Sequence, residues 1–260
     1  MKQVAGTADP RYARQVILPE IGPVGQARLA AARVLVVGAG GLGSAVLYGL
    51  AGAGVGHLSI MDPDRVSPTN LNRQFLYQDQ DVGRLKVEMA SERLRAYHPD
   101  ISLWLSPAML DEQLAGELVS QHDLIISAVD SRAARLLLNE ACCRHGKPLV
   151  DGGVNGLAGY LAIIEPGKTP CCRCLFGADS DSSLQPAGVL GAVAATIGSL
   201  QATAAVLLLL GCSNPLEQEV LYLDGRTMVF DRVRFCRDPD CPDCGNLLHK
   251  ALPCGGHDTC

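Results

Sequence analysis

Two Cys-x-x-Cys pairs, Cys171 with Cys174 and Cys241 with Cys244, are the residues whose type and spacing point most directly to chemistry. Each pair presents two sulfurs to one ion from a single tight turn, and four thiolates suit tetrahedral Zn²⁺. Four sulfur ligands leave no open coordination position, so the predicted zinc is structural rather than catalytic. A disulfide framework is the competing interpretation.

The composition favours zinc over disulfides. The 260-residue chain has eleven cysteines, an odd number, and adjacent pairs such as Cys142–Cys143 suit a disulfide framework poorly. Its first 15 residues have no apolar core like that of a secretory signal, so we expect a reducing cytoplasm. A net charge of −5 argues against a nucleic-acid partner.

Residues 188–211 form an uncharged segment long enough to cross a membrane. Its glycines and threonines, together with Ser199 and Gln201, make it more polar than most membrane spans. We therefore predict a helix that is buried within the protein or in a dimer interface, and no membrane partner.

A second candidate site is the G-x-G-x-x-G motif at Gly38, Gly40 and Gly43, which follows an apolar run at 33–38 and opens a predicted helix. The glycines allow a tight turn and let the backbone approach phosphates at the helix N-terminus. Asp62 ends the next predicted strand, where a carboxylate can accept hydrogen bonds from ribose hydroxyls. The motif alone does not separate NAD from ATP, so a dehydrogenase stays possible here.

The polar segment after Asp62 shifts the balance towards polyphosphate chemistry. It contains Asn70, Arg73 and Lys86, and a dinucleotide enzyme has no use for two cations beside the phosphates. Clustered cations stabilise the charge that builds up during phosphoryl transfer. An isolated Arg or Lys would be read as a solvated side chain, but this cluster favours a functional role.

Strand and helix patterns alternate through the first half, which predicts an α/β, Rossmann-like, mostly parallel sheet with helices on both faces. Strands are predicted at 33–38, 57–61, 101–105, 124–129 and 148–154, and helices at 41–54, 82–97 and 131–145. Segments 159–165 and 220–233 are predicted to pair as an antiparallel extension. We expect one domain over 1–260, with N-terminal helices in 1–32, a nucleotide-binding half at 33–156 and a zinc-containing half at 157–260.

An ordered set of motifs that spans nearly the whole chain resembles the MoeB/ThiF/HesA family, the bacterial branch of the ubiquitin-activating enzyme superfamily. The MoeB-like members are the most similar in length and spacing. The motifs lie at residues 11–22, 36–44, 70–74, 81–86, 127–130, 170–176, 188–191, 197–201 and 241–244.

The resemblance implies an ATP-dependent adenylyltransferase that activates the C-terminal Gly-Gly carboxylate of a ubiquitin-like sulfur-carrier protein. The carboxylate attacks the α-phosphate of ATP, and pyrophosphate leaves. Residues 157–260 would then also bind the carrier. The carrier could serve molybdenum cofactor, thiamine, a thiolated RNA base or a secondary metabolite, and the MoeB-like pattern favours molybdopterin synthesis.

The resemblance also implies the roles of individual residues. Asp62 would bind the ribose, Asn70, Arg73 and Lys86 the phosphates, and Asp130 would coordinate Mg²⁺. Arg14 would reach into the site of a neighbouring subunit as an arginine finger, which makes the enzyme a homodimer. The full nucleotide-binding set is Gly38, Gly40, Gly41, Gly43, Asp62, Asp64, Thr69, Asn70, Leu71, Asn72, Arg73, Lys86, Asp130 and Ser131, and the catalytic set is Arg14, Arg73, Lys86 and Asp130.

Two of these roles have simpler rivals. Asp130 precedes a predicted helix and could be its N-cap, although its place at the carboxyl end of a strand favours catalysis. Arg11 lies one helical turn from Arg14 and could serve in its place.

The chain departs from the family at one point. Many relatives carry a cysteine shortly before the segment that matches 188–191, whereas Leu184 stands near that place and no cysteine lies between Cys174 and Cys212. We expect an enzyme that stops at the acyl-adenylate and leaves sulfur insertion to a separate donor. The rival functions are an NAD(P)-dependent oxidoreductase and a non-catalytic zinc scaffold that binds a carrier.

Overall fold

The computed structural model describes residues 9–177 and 188–247 of the chain. Within these ranges the strands are β1 (Arg33–Val37), β2 (His57–Met61), β3 (Ser102–Ser106), β4 (Leu124–Ser127), β5 (Leu149–Asn155), β6 (Ala158–Ile164), β7 (Glu219–Asp224) and β8 (Val229–Arg234). The α-helices are α1 (Gly22–Ala31), α2 (Gly41–Ala53), α3 (Lys86–Tyr97), α4 (Glu112–Ser120), α5 (Arg132–His145), α6 (Cys172–Phe176) and α7 (Gly191–Leu210).

The eight strands form one sheet in the order β3-β2-β1-β4-β5-β6-β7-β8. The first five in that order pair in parallel, and β6, β7 and β8 extend the sheet in antiparallel fashion. The predicted α/β fold with an antiparallel extension is therefore confirmed. The predicted single strand at 220–233 is wrong, because this segment folds as the β7–β8 hairpin.

Several element boundaries also differ from the prediction. The helix predicted from residue 82 begins at Lys86, because residues 82–85 form a turn in which Gly83 has a φ of 88° and Leu85 makes a β-bridge with Arg65. Of the N-terminal helices predicted in 1–32, the described residues contain α1 and a 3-10 turn at Pro10–Tyr12. Helices α4 and α6 were not predicted.

Alternate residues of the strands supply two apolar layers, one on each side of the sheet. Val34 and Val36 of β1 pack with α2, α3 and α7, whereas Leu35 and Val37 pack with α4, α5 and the cysteine cluster. Both faces of a parallel strand are thus buried, which explains why β1 is a continuous apolar run without alternation. Helices on both faces agree with the prediction.

The strand order reverses between β1 and β4, since β2 and β3 lie on one side of β1 and β5 on the other. In open α/β sheets, ligands bind at such a switch point, beyond the carboxyl ends of the strands. The glycine motif follows β1 and Asp130 follows β4. The topology therefore brings these two sequence-distant segments to one place.

Helix α7 is the apolar segment that has the length and composition of a membrane span. Half of its most apolar window is buried within the protein, and the helix contacts α1, α2, β4, β5 and β6. Gln201 of α7 is fully buried and donates to the backbone oxygens of Ser127 and Val150 at 2.8 and 3.3 Å. The helix is therefore a packed part of this fold, as predicted.

Close packing of α7 on α2 predicts that Gly198→Ala destabilises the protein. A Cβ at Gly198 would lie 2.4 Å from the Leu42 backbone oxygen and 2.9 Å from the Ala45 Cβ, so the helices must separate. We expect a loss of about 2 kcal/mol in the free energy of unfolding, measured by urea denaturation.

The matched control is Gly116→Ala in α4, where the nearest atom to a new Cβ is His145 Nε2 at 3.8 Å. This replacement of a helical glycine should raise the stability by up to about 1 kcal/mol. Equal effects of the two substitutions would contradict the packing argument.

Candidate active site and cysteine cluster

The glycine motif forms a turn that only glycine can occupy at two positions. Gly38 has a φ of 97°, and a Cβ there would lie 2.4 Å from the Ala128 backbone oxygen beyond β4. A Cβ at Gly43 would lie 2.1 Å from the Gly38 oxygen. The turn is therefore pressed against the start of the segment that carries Asp130, and α2 begins directly behind it at Gly41.

Asp62 fixes this turn to the end of β2. Its carboxylate accepts hydrogen bonds from the Ala39 N–H at 2.7 Å and the Asp64 N–H at 2.9 Å. Burial raises the pKa of Asp62, while the Lys86 ammonium and the two backbone N–H groups oppose that rise. A second contact holds the turn from the other side, because the Tyr77 hydroxyl donates to the Ala39 oxygen at 2.7 Å.

Lys86 is a buried cation beside the glycine turn. Its ammonium lies 2.7 Å from an Asp64 oxygen and 3.9 Å from an Asp62 oxygen, and its side chain is only 6% exposed. The position follows from the fold, since Lys86 is the first residue of α3 and its backbone N–H donates to the backbone oxygen of Asp64. Such a cation is well placed to meet phosphates at the α2 N-terminus.

Residues 69–74 form a segment that lies next to the glycine turn. The Asn70 side chain accepts from the Ser67 N–H at 3.1 Å, which shapes the segment, and Leu71 packs on the core. Arg73 is half-buried and donates to the Thr69 oxygen at 2.8 Å and to the Asn72 side chain at 3.0 Å.

The backbone of this segment also contacts two glycines of the site. A Cβ at Gly41 would lie 3.5 Å from Arg73 Cγ, and a Cβ at Gly191 would lie 2.4 Å from the Asn72 oxygen. Two of the predicted nucleotide residues, Asn72 and Arg73, thus lie against the first residues of α2 and α7. The Arg73 guanidinium itself is folded back onto its own segment.

Asp130 lies exposed just after β4, and Ser131 caps α5 by accepting from the Ala134 N–H at 3.2 Å. The N-cap of α5 is therefore Ser131 and not Asp130, for which this role was the alternative. One carboxylate together with substrate phosphates is the usual protein environment of Mg²⁺, and an exposed carboxylate beside the glycine turn fits that donor set.

Arg14 does not lie with the other predicted catalytic residues. Its neighbours hold the segment against the C-terminal end of α2, where Gln15 donates to the Ala53 oxygen at 2.8 Å and Tyr12 packs on Gly54. The glycine turn is at the other end of this 13-residue helix, about 20 Å away by the helical rise. Arg14 and Arg11 are both exposed.

The four cysteines of the two pairs form one cluster, with all sulfurs within 4.8 Å of one another. The Sγ distances are 3.6 Å for Cys171–Cys241, 3.5 Å for Cys174–Cys244 and 3.9 Å for Cys171–Cys174. A tetrahedral Zn²⁺ with Zn–S bonds of about 2.3 Å requires sulfurs about 3.8 Å apart, so the cluster fits this ion.

The surroundings of the cluster orient its loops. Asn139 of α5 accepts from the Cys172 N–H and donates to Asp243, each at 2.7 Å, and Arg173 pairs with Asp243 at 2.9 Å. Cys143 of α5 packs in the same apolar cluster as Cys171. α5 therefore joins the two Cys-x-x-Cys turns, which come from distant parts of the sequence.

Sequence reasoning missed a buried polar cluster between the nucleotide residues and the cysteine cluster. Asp151 of β5 is fully buried and accepts from Arg135 Nε and from the Tyr160 hydroxyl, both at 2.8 Å. A carboxylate within an apolar strand must have partners, so Asp151 in the run at 148–154 was the available signal. Leu184 lies outside the described residues.

A glycine turn at a switch point, a buried lysine beside it and a cluster of four cysteines that fits a metal ion define the class of a nucleotide-binding α/β protein. The ThiF family matches residues 12–243, and the chain belongs to this family. The SAMP-activating enzyme E1 of Haloferax volcanii is 40% identical over 90% of this chain and 88% of its own length.

Two further proteins are similar to this chain. The sulfur carrier protein adenylyltransferase of Thermus thermophilus is 40% identical over 91% of this chain and 90% of its own length. Among solved structures, MccB of E. coli with ATP superposes with a TM-score of 0.80 at 25% identity, over 92% of this chain and 75% of that one.

The cluster geometry predicts that the purified protein holds one Zn²⁺ per chain and that Cys174→Ser lowers this content. Because structural zinc contributes directly to folding, the variant should also unfold at a lower temperature. Metal analysis and thermal unfolding measure the two effects.

Cys212→Ser is the matched control, since Cys212 is half-buried at the edge of the other apolar layer. It should retain the wild-type zinc content. Full zinc content in Cys174→Ser would show that this thiol is not a ligand.

Proposed function

We propose that this protein is an ATP-dependent adenylyltransferase that activates the C-terminal Gly-Gly carboxylate of a ubiquitin-like sulfur-carrier protein. The observation that carries the proposal is the placement of Asp62, Lys86 and Asp130 around one glycine turn, in a chain that belongs to the ThiF family. The relative from Thermus thermophilus, named for this activity, matches nearly end to end.

In the proposed reaction, a carrier carboxylate oxygen forms a bond to the α-phosphorus of ATP. The bond from that phosphorus to the bridging oxygen breaks, and pyrophosphate leaves with the electron pair. Asp62 receives the ribose, the α2 N-terminus and Lys86 hold the phosphates, and Arg73 turns outward from Thr69 to join them. Asp130 would hold Mg²⁺, which would supply further neutralisation of the phosphate charge.

The proposed enzyme is a homodimer in which Arg14 acts on the partner's site. Support comes from the distance between Arg14 and the glycine turn of its own chain, about 20 Å along α2. The same region has exposed apolar side chains, with Ile17 70% and Val24 69% exposed. Beside them a groove of about 650 Å³ runs between the N-terminal segment and α7. These surfaces suit contact with a second copy.

We propose that the carrier binds at β8, which is the edge strand of the antiparallel extension in the described part of the chain. Its outer residues include Val229, Phe230 and Val233, each more than 40% exposed, and an unpaired strand edge can bind another chain. The expected pathway is molybdopterin synthesis or a related sulfur transfer in the cytoplasm. A separate sulfur donor acts afterwards, because no cysteine lies between Cys174 and Cys212.

The two rival functions are not favoured. An NAD(P)-dependent oxidoreductase would not need Lys86 buried beside its glycine turn. A scaffold that only binds the carrier would have no physical need for Arg14, Arg73, Lys86 and Asp130 together. The adenylyltransferase explains all four residues.

Exchange of labelled pyrophosphate into ATP, dependent on a carrier ending in Gly-Gly, tests the proposal. We expect Lys86→Met to lower the exchange rate by at least about 100-fold, since a buried cation beside the phosphates is lost. The control is Lys168→Met, at an exposed lysine that pairs with Glu165. No exchange by the wild-type protein with any Gly-Gly carrier would refute the function.

A mixing experiment tests the action of Arg14 in trans. Arg14→Ala and Lys86→Met should each be inactive alone. A mixed dimer contains one site with an intact Lys86 and the partner's intact Arg14, so random reassortment should restore about one quarter of the wild-type activity. Lack of recovery after confirmed subunit exchange would place Arg14 outside the partner's site.

A further inference from the structure

The Asp151 carboxylate is the most buried charged group between the nucleotide residues and the cysteine cluster in the described part of the chain. Its side chain is 0% exposed, and its two oxygens accept separately from Arg135 and Tyr160. A buried carboxylate is costly unless its lone pairs are satisfied, and both donors here come from other elements, α5 and β6. The arrangement is therefore specified by the tertiary structure.

The Arg135 guanidinium joins β5 to the segment that follows β4. Nε pairs with Asp151, while Nη2 donates to the Val129 oxygen at 3.1 Å and the Gly152 oxygen at 3.2 Å. Val129 follows β4 and Gly152 lies in β5. A planar group with a fixed fork of donors can make these contacts together, whereas a lysine ammonium cannot reproduce the fork.

Tyr160 reaches Asp151 because its cross-strand neighbour has no side chain. Tyr160 is paired with Gly153, and a Cβ at Gly153 would lie 2.4 Å from the Tyr160 ring. The ring also lies 5.8 Å from the Arg135 guanidinium carbon and 5.0 Å from the Phe176 ring. Tyr160 thus holds the Asp151 carboxylate in place, and Asp151 in turn holds Arg135.

The segment held by Arg135 is the one that carries Asp130. Ala128 donates to the Val37 oxygen at 2.9 Å at one end of this turn, and Ser131 caps α5 at the other. Between them, Arg135 binds the carbonyl of the residue directly before Asp130. The contact restricts the peptide from which the Asp130 side chain projects.

We propose that Arg135 is a positioning residue that sets the Asp130 carboxylate for the metal–nucleotide complex, with Asp151 and Tyr160 holding Arg135 in place. This inference rests on the proposed function, because it assigns Asp130 to Mg²⁺. Arg135 acts through the Val129 carbonyl and does not itself touch the nucleotide.

Conservative substitutions test the proposal, because alanine at 135 would leave Asp151 buried without its cation. Arg135→Lys keeps the charge but loses the fork, and Tyr160→Phe removes one hydroxyl. The matched control is Arg144→Lys on the same helix, whose pairs with Glu140 and Glu112 are exposed. Calorimetry measures the affinity for ATP with Mg²⁺ and with EDTA, on the full chain without carrier.

We expect Arg135→Lys to weaken binding of ATP with Mg²⁺ roughly tenfold and Tyr160→Phe about threefold, with metal-free ATP changed less than about twofold. Amide hydrogen exchange over residues 128–131 should be faster in both variants than in Arg144→Lys. If Arg135→Lys fails to fold, the nucleotide affinities and hydrogen exchange of Tyr160→Phe test the proposal. Equal weakening with and without Mg²⁺, or unchanged binding and exchange, would overturn the proposal.

Failure of the proposed function would be seen separately. It would appear as wild-type protein that shows no carrier-dependent pyrophosphate exchange. Hydrogen exchange over 128–131 needs no nucleotide, so slow exchange in wild type and fast exchange in Tyr160→Phe would still support the role of Arg135. Equal exchange in those two proteins would refute that role.

Discussion

The close approach of the glycine turn to the segment after β4 is the contact on which the site depends. Gly38 lies so near the Ala128 oxygen that any side chain would force the two apart. This approach holds the ends of β1 and β4 together at the point where the strand order reverses. It therefore sets the distance between the backbone of the glycine turn and the segment that carries Asp130, which no single element could set alone.

The remainder of the structure supports this contact from two sides. On one face, α7 packs on α2 and inserts Gln201 beneath β4 and β5. On the other face, α5 carries Arg135 at its start and Asn139 near the cysteine cluster. The cysteine cluster is thereby connected through one helix to the turn that holds Asp130.

Local patterns in the sequence predicted most of the framework. The glycine spacing, the apolar runs and the paired cysteines each act over a few residues, so the β1–α2 unit, the parallel strands and the four thiols were all recognised. The turn of the hairpin at 219–234 begins with Asp224-Gly225, a strong turn signal that the prediction of a single strand at 220–233 overlooked. Met228 in the same turn adopts a φ of 59°. Helix α6 is only five residues long, too short for a periodic pattern.

The polar contacts were harder to predict, because they join residues far apart in the chain. Arg135, Asp151 and Tyr160 come from three elements, and nothing in their spacing indicates that they meet. Arg14 is likewise far from the glycine turn because α2 begins at that turn and the segment of Arg14 packs against the other end of the helix. The resemblance to a family supplied the predicted role of Arg14, which stays a proposal that this separation supports.

The ion pairs of Lys86 have a consequence for charge balance. Around the glycine turn stand three carboxylates, Asp62, Asp64 and Asp130, and two cations, Arg73 and Lys86, so the formal charge of one chain's set is −1. A polyphosphate entering this set would meet excess negative charge, part of it from the exposed Asp64 that pairs with Lys86. Under the proposed function, this excess would be offset by positive charge from outside the chain, by a divalent ion and by the arginine of a second subunit.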